Sequence, residues 1–236
     1  MIRHTNHILA CAAGLILLIG AGEQAIAIER GSAGDSFVEG YQSTIEDQKD
    51  VLKTRIVAVF MIIETLPTVE QDAAIEDLVK RIMNHSRTVI QAAYLEGITI
   101  GYEETVTDYR QEIIKDLLTD AYIEHQRQLR RIVDPYAIKI LEAQDMDAFR
   151  NYIAENVAAA NGVDQLVAHI STALVKKLKA AFRRFQTVPT SQQDIVVEGA
   201  LGDYFQVGLN AYYRGQQDPF VKRLRMKLKA LAEGQR

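Results

Sequence analysis

One cysteine, no tryptophan and four prolines in 236 residues set the first limits on this chain. The cysteine, Cys11, lies in an N-terminal apolar stretch. Past it there is no disulfide, thiolate metal site or cysteine nucleophile to consider. A chain exported without disulfides has to rely on its apolar core, and 48% hydrophobic residues supply one.

Familiar catalytic patterns are missing too. There is no glycine-rich loop ending in Gly-Lys-Ser/Thr, no Gly-x-Ser-x-Gly, no His-Glu-x-x-His and no Cys-x-x-Cys-His. A carboxylate di-iron bundle needs Glu-x-x-His on two helices. The residues three before His85, His125 and His169 are Ile82, Tyr122 and Leu166, so that ligand set is absent. No cofactor, metal site or catalytic residue is expected. A net charge of −4 gives no reason to expect nucleic acid.

What is present begins with the N-terminus. Arg3 precedes an apolar run over 8–19, and a more polar stretch leads to Ala25-Ile26-Ala27. That is the three-part layout of a secretory signal peptide over 1–27, with cleavage after Ala27. Export follows as an expectation: to the periplasm of a double-membrane bacterium, otherwise to the medium.

The remaining chain reads as all-α. Apolar spacing predicts a first helix over about 36–66, whose later part, 56–63, is apolar on every side and should lie centrally. Frequent β-branched residues make a strand the rival for that part. After Pro67 a helix is predicted over 70–95. Gly97, Thr99 and Gly101, interleaved with Ile98 and Ile100, predict a chain reversal. One continuous helix from Glu70 to Val133 would give a rod of about 95 Å. Shorter helices are expected over 136–143 and 147–160, the second capped by Asp145 and stopped by Asn161-Gly162. A helix over 163–185, a linker over 187–191 and a Ser191/Asp194 cap follow. One helix over 195–213 contains Gly199, Gly202 and Gly208. The last helix opens with Asp218 as N-cap and Pro219 at its first position. The expected architecture is a multi-helix bundle with a long helical hairpin and a smaller C-terminal helical layer. Its divisions fall at 28–186 for the main helical domain and 187–236 for a C-terminal segment packed on or linked to it.

Charge is unevenly spread. Residues 28–161 carry 24 acids and 14 bases, and residues 162–236 carry 6 acids and 12 bases. Within the acidic part, Glu104, Asp108, Glu112, Asp116, Asp120 and Glu124 recur at every fourth residue beside an apolar rhythm of Tyr102, Val106, Tyr109, Ile113, Leu117 and Ala121. On one helix they would form an acidic ridge, whose like-charge neighbours cost on the order of 1–2.5 kcal/mol without a cation against them. The internal candidates are the cluster Lys176, Lys177, Lys179, Arg183 and Arg184, and the last helix with Lys222, Arg223, Arg225, Lys227 and Lys229. The last helix also has Phe220, Val221, Leu224 and Leu228 on its apolar side, a layout that suits an anionic membrane surface.

These features point to an exported, non-catalytic scaffold or adaptor that binds another envelope protein through charged helix faces. The alternative is a carrier for an apolar or lipid ligand, with 56–63 and the glycine-bearing helix lining a cavity. An enzyme without a local motif is the third reading. The signal reading has a direct check: the intact mass of exported protein is expected to correspond to a chain beginning at Ile28.

Overall fold

A computed structural model describes residues 33–117, 120–157 and 160–234, so the expected signal segment lies outside the described residues. Among the described residues there are nine α-helices and no strand. They are α1 (Ala33–Glu64), α2 (Thr68–Ile113), α3 (Asp120–Ile132), α4 (Pro135–Glu142), α5 (Met146–Asn156), α6 (Ala160–Phe185), α7 (Thr190–Leu201), α8 (Val207–Gln216) and α9 (Pro219–Gly234). Short 3₁₀ turns occupy Ile114–Asp116 and Tyr204–Gln206. The all-α, multi-helix architecture read from the sequence is the observed one, and the strand rival at 56–63 falls, because that run is part of α1.

The chain divides into two compact units. The first comprises the described residues up to Val89 with Gln165–Leu209; the second comprises Ile90–Asp164 with Asn210 onward. In the first unit Ile56, Val59, Phe60 and Ile63 are buried. Phe60 meets Phe182 and Phe185 edge-on, with ring centroids 5.1 and 5.4 Å away. The apolar run has an outer side after all, where Met61 is 48% exposed. Helix α7 packs on α1, and Glu198 lies 3.6 Å from Lys49 and 3.5 Å from Lys53. The helix expected over 195–213 is instead broken between α7 and α8. Inside α8, a Cβ on Gly208 would sit 2.1 Å from the Tyr41 ring. The Tyr41 hydroxyl accepts from the Gly208 N–H at 2.9 Å and donates to the Phe205 carbonyl at 3.4 Å. Burial pushes that phenol up to about 12.

The second unit overturns the expected reversal at 97–101. Helix α2 runs unbroken through it for 46 residues. Its glycines serve close helix contact: a Cβ on Gly97 would lie 1.9 Å from the Tyr212 carbonyl oxygen, and one on Gly215 would lie 2.1 Å from the Tyr94 carbonyl oxygen. Two backbones are therefore nearly in contact, at positions where no other residue leaves room. Gly101 extends the approach towards Gln216 and Val221. Thr99 and Thr105 donate to the carbonyls of Leu95 and Gly101 at 2.9 and 2.6 Å, so their buried hydroxyls do not interrupt the helix.

The chain reverses later, between Tyr109 and His125, where the 3₁₀ turn Ile114–Asp116 follows α2. Tyr102, Val106, Tyr109 and Ile113 are buried as expected, but Leu117 is 51% exposed and Ala121 is exposed too. The inward rhythm restarts at His125 and Leu129 on α3. The Tyr109 hydroxyl and His125 Nδ1 share a 3.0 Å hydrogen bond that closes this hairpin, and Arg110 donates to Glu142 at 2.8 Å.

Asp145 and Asp218 cap helices as read from the sequence, Asp134 adds a third cap, and two expected signals fail. Asp134, Asp145 and Asp218 accept from the backbone N–H of Tyr136, Ala148 and Phe220 at 2.8, 3.0 and 2.7 Å. Asn161-Gly162 does not stop a helix; both residues belong to α6, and a Cβ on Gly162 would sit 2.3 Å from the Tyr94 hydroxyl. Helix α5 ends at Asn156, and α7 starts with Pro189 at its cap and no side-chain bond, so the Ser191/Asp194 cap is not formed.

Two polar pins tie α2 to its neighbours in this unit. The Tyr94 hydroxyl donates to Asp218 Oδ2 at 2.8 Å, joining α2 to the cap of α9. Buried Glu96 accepts a two-pronged contact from Arg150 of α5, at 2.7 and 2.8 Å. Gly97→Ala should cost about 1–3 kcal/mol or more through overpacking against backbone. Gly199→Ala, with nothing within 4 Å of the new methyl, should add about 0.5–1 kcal/mol. Urea unfolding of the two variants checks both signs.

Candidate protein-interaction surface

The six acids do not form one ridge. Glu104, Asp108 and Glu112 lie on the last turns of α2, Asp116 in the 3₁₀ turn, and Asp120 and Glu124 at the start of α3, beyond the reversal. Glu112 pairs with Lys115. Glu124 accepts from Arg127 at 2.8 Å and from Gln128 at 3.0 Å. Those contacts, the Gln128 bond foremost, hold the Glu124 carboxyl below its ordinary range.

Glu104 shifts the other way. Partial burial lifts its carboxyl and Asp108 adds to the rise, while Arg225 of α9 opposes it. Had α9 neutralised this part of the ridge, the carboxyl would have been held low. The Arg225 charge reaches Glu104, but it does not cancel the cost of burying it. Neighbouring Glu103 is raised as well, by burial first and then by Glu104, against the pull of Arg150.

The two basic clusters meet different fates. On α6, Lys179 lies 2.6 Å from Glu76 and 3.3 Å from Asp72, Arg183 lies 3.8 Å from Asp72, and Lys177 pairs with Asp203. Lys176 and Arg184, also of that cluster, are exposed. Lys177, Lys179 and Arg183 are thus bound by acids of their own unit, none of them a ridge residue.

On α9, Lys222, Arg223, Arg225, Lys227 and Lys229 are all exposed. Among the described residues the one ion pair there is Lys229 with Glu233 at 3.8 Å. The apolar side of α9 is turned inward: Val221, Leu224 and Leu228 are buried, and Phe220 stacks on Tyr102 at 5.6 Å. Helix α9 packs on α3, which adds Arg127, Arg130 and Arg131. Together the two helices carry eight Lys or Arg and three Asp or Glu.

The α3 arginines were not legible as part of a basic surface, because the sequence pattern assigned their segment to an acidic helix. The doublet Arg130-Arg131, one turn before Asp134-Pro135, was the available signal. Among the described residues no cluster of three or more His, Asp or Glu could hold a metal ion, and no helix is long and apolar enough to cross a membrane. His85 and His169 are exposed on separate helices, whereas His125 is buried against Tyr109. No family model, curated protein or solved structure matches this chain.

The contrast between clusters is testable by charge reversal. Lys179→Glu is expected to lower the melting temperature at low salt, since it turns two attractions into repulsions. Lys227→Glu should leave the melting temperature unchanged. Glu104→Gln should leave it unchanged or raise it at pH 7, because a carboxyl held above its ordinary range destabilises the fold when ionised.

Proposed function

We propose that this chain is an exported, non-catalytic adaptor that binds another envelope protein through the basic surface of α3 and α9. The supporting observation is the unmatched charge. Lys222, Arg223, Arg225 and Lys227, with Arg130 and Arg131, have no carboxylate within 4 Å among the described residues, while Lys177, Lys179 and Arg183 of α6 are matched by Asp72, Glu76 and Asp203. Such a surface attracts an acidic partner over a Debye length and then releases it as salt rises.

The packing around Phe60 favours this reading over a carrier. The residues a cavity would need on α1 are already filled in by aromatic edges from α6. The inward apolar side of α9 likewise leaves only its charged side for an anionic membrane. The acids Glu104, Asp108, Glu112, Asp116, Asp120 and Glu124 then belong to the surroundings of the basic surface, where they would discriminate against other anions.

A pull-down from native membranes with the full chain tests the proposal. A protein partner should co-purify at low salt, elute as salt rises, and be lost with Lys222→Glu, Arg223→Glu and Lys227→Glu combined. Retention of the same partner by the triple variant, or recovery of lipid alone, would contradict it.

A further inference from the structure

Helix α3 carries a shallow, open groove of about 360 Å³ lined by Tyr122, Ile123, Gln126, Arg127 and Arg130. These residues fall on two adjacent ridges of one helix, spaced by one, four and eight positions. The furrow therefore follows the helix axis for about 12 Å. Ile123 is 60% exposed in it. The 3₁₀ turn packed against α3 contributes Ile114, and Leu117 follows directly, at 61% and 51% exposure. Apolar side chains this open at one end of a hairpin are the type of surface that binding covers. The cations set what covers it. Arg127 is shared with Glu124, Arg130 has no carboxylate within 4 Å among the described residues, and the cations of α9 lie on the neighbouring helix.

We infer that this groove seats an acidic amphipathic helix of a protein partner, its apolar residues along Ile123 and Tyr122 and its carboxylates towards Arg127 and Arg130. The inference rests on the adaptor reading and names the partner's contact element. A helix ridge fits a furrow between two ridges, and an apolar stripe flanked by acids matches an isoleucine flanked by arginines.

The test is a titration of the full chain with a fluorescent peptide of roughly 20 residues, with leucines along one helical face and glutamates on the other. A peptide with lysines in place of the glutamates and vesicles of phosphatidylglycerol serve as comparisons. The acidic peptide should bind and the basic one should not. Ile123→Glu and Arg130→Glu should each weaken binding about tenfold or more. Both positions are exposed, and circular dichroism will verify that each variant is folded.

Four outcomes overturn the inference: no binding of the acidic peptide, binding indifferent to both substitutions, binding of vesicles alone, or self-association of the chain lost with Ile123→Glu. Binding that ignores Ile123→Glu and Arg130→Glu but is lost on reversing the α9 lysines removes the groove and leaves the adaptor reading in place. Loss of the membrane-derived partner on reversing the α9 lysines, together with no acidic-peptide binding at all, does the same.

Discussion

The close approach of α2 to α8 governs what the second unit can present. At Gly97 and Gly215 each helix sets a carbonyl where the other would need a Cβ. Two helices brought this near lose side-chain volume between them and gain backbone contact along their length. The consequence runs down the chain. Because α8 is held against α2, Asp218 arrives where Tyr94 can donate to it, and α9 starts with its cap already fixed to α2. Val221 then falls beside Gly101, Phe220 on Tyr102, and the apolar side of α9 is committed inward. Its cations have nowhere to point but outward.

The fate of charge follows from that commitment. In the first unit, cations and acids lie on facing helices and meet: Lys179 of α6 reaches two acids of α2, and Lys49 and Lys53 of α1 flank Glu198 of α7. These contacts are solvent-exposed and individually weak, yet each one removes a charge from the list available to a partner. In the second unit the strong polar contacts are spent on pinning helices, as with Glu96 and Arg150, and the basic side of α3 and α9 is left over. An uneven outcome of this kind, with one cluster largely matched and another largely unmatched, separates a solvated face from a candidate surface better than composition does.

Much of this architecture was legible from periodicity. Helices α1, α2, α6 and α9 follow apolar spacing readable in the sequence, and the aspartates before α5 and α9 act as the caps their positions suggested. Glycine was the main source of error. Gly97 and Gly101 look like a turn in sequence, because the helix that requires them lies more than a hundred residues away. Gly162 misled in the same way, since what needs it is Tyr94. The true reversal, between Tyr109 and His125, contains neither glycine nor proline, so nothing local announced it. The every-fourth-residue pattern of acids ran straight across that reversal and gave the appearance of one face where there are two short ones. The groove on α3 was hidden for a related reason: Ile123 lies outside the apolar rhythm of the predicted helix and drew no attention.

The central claim is that α9 is a packed helix showing its charges, and not a detachable amphipathic one. Amide hydrogen exchange over α9 measures this directly, since exchange reports the free energy of local opening. The amides of Leu224 and Leu228 are expected to exchange about as slowly as those of Ile98 and Tyr102 in α2. Exchange at α9 as fast as at an unprotected segment would contradict it, because the apolar side would then be open to solvent and the charged surface would have no fixed form.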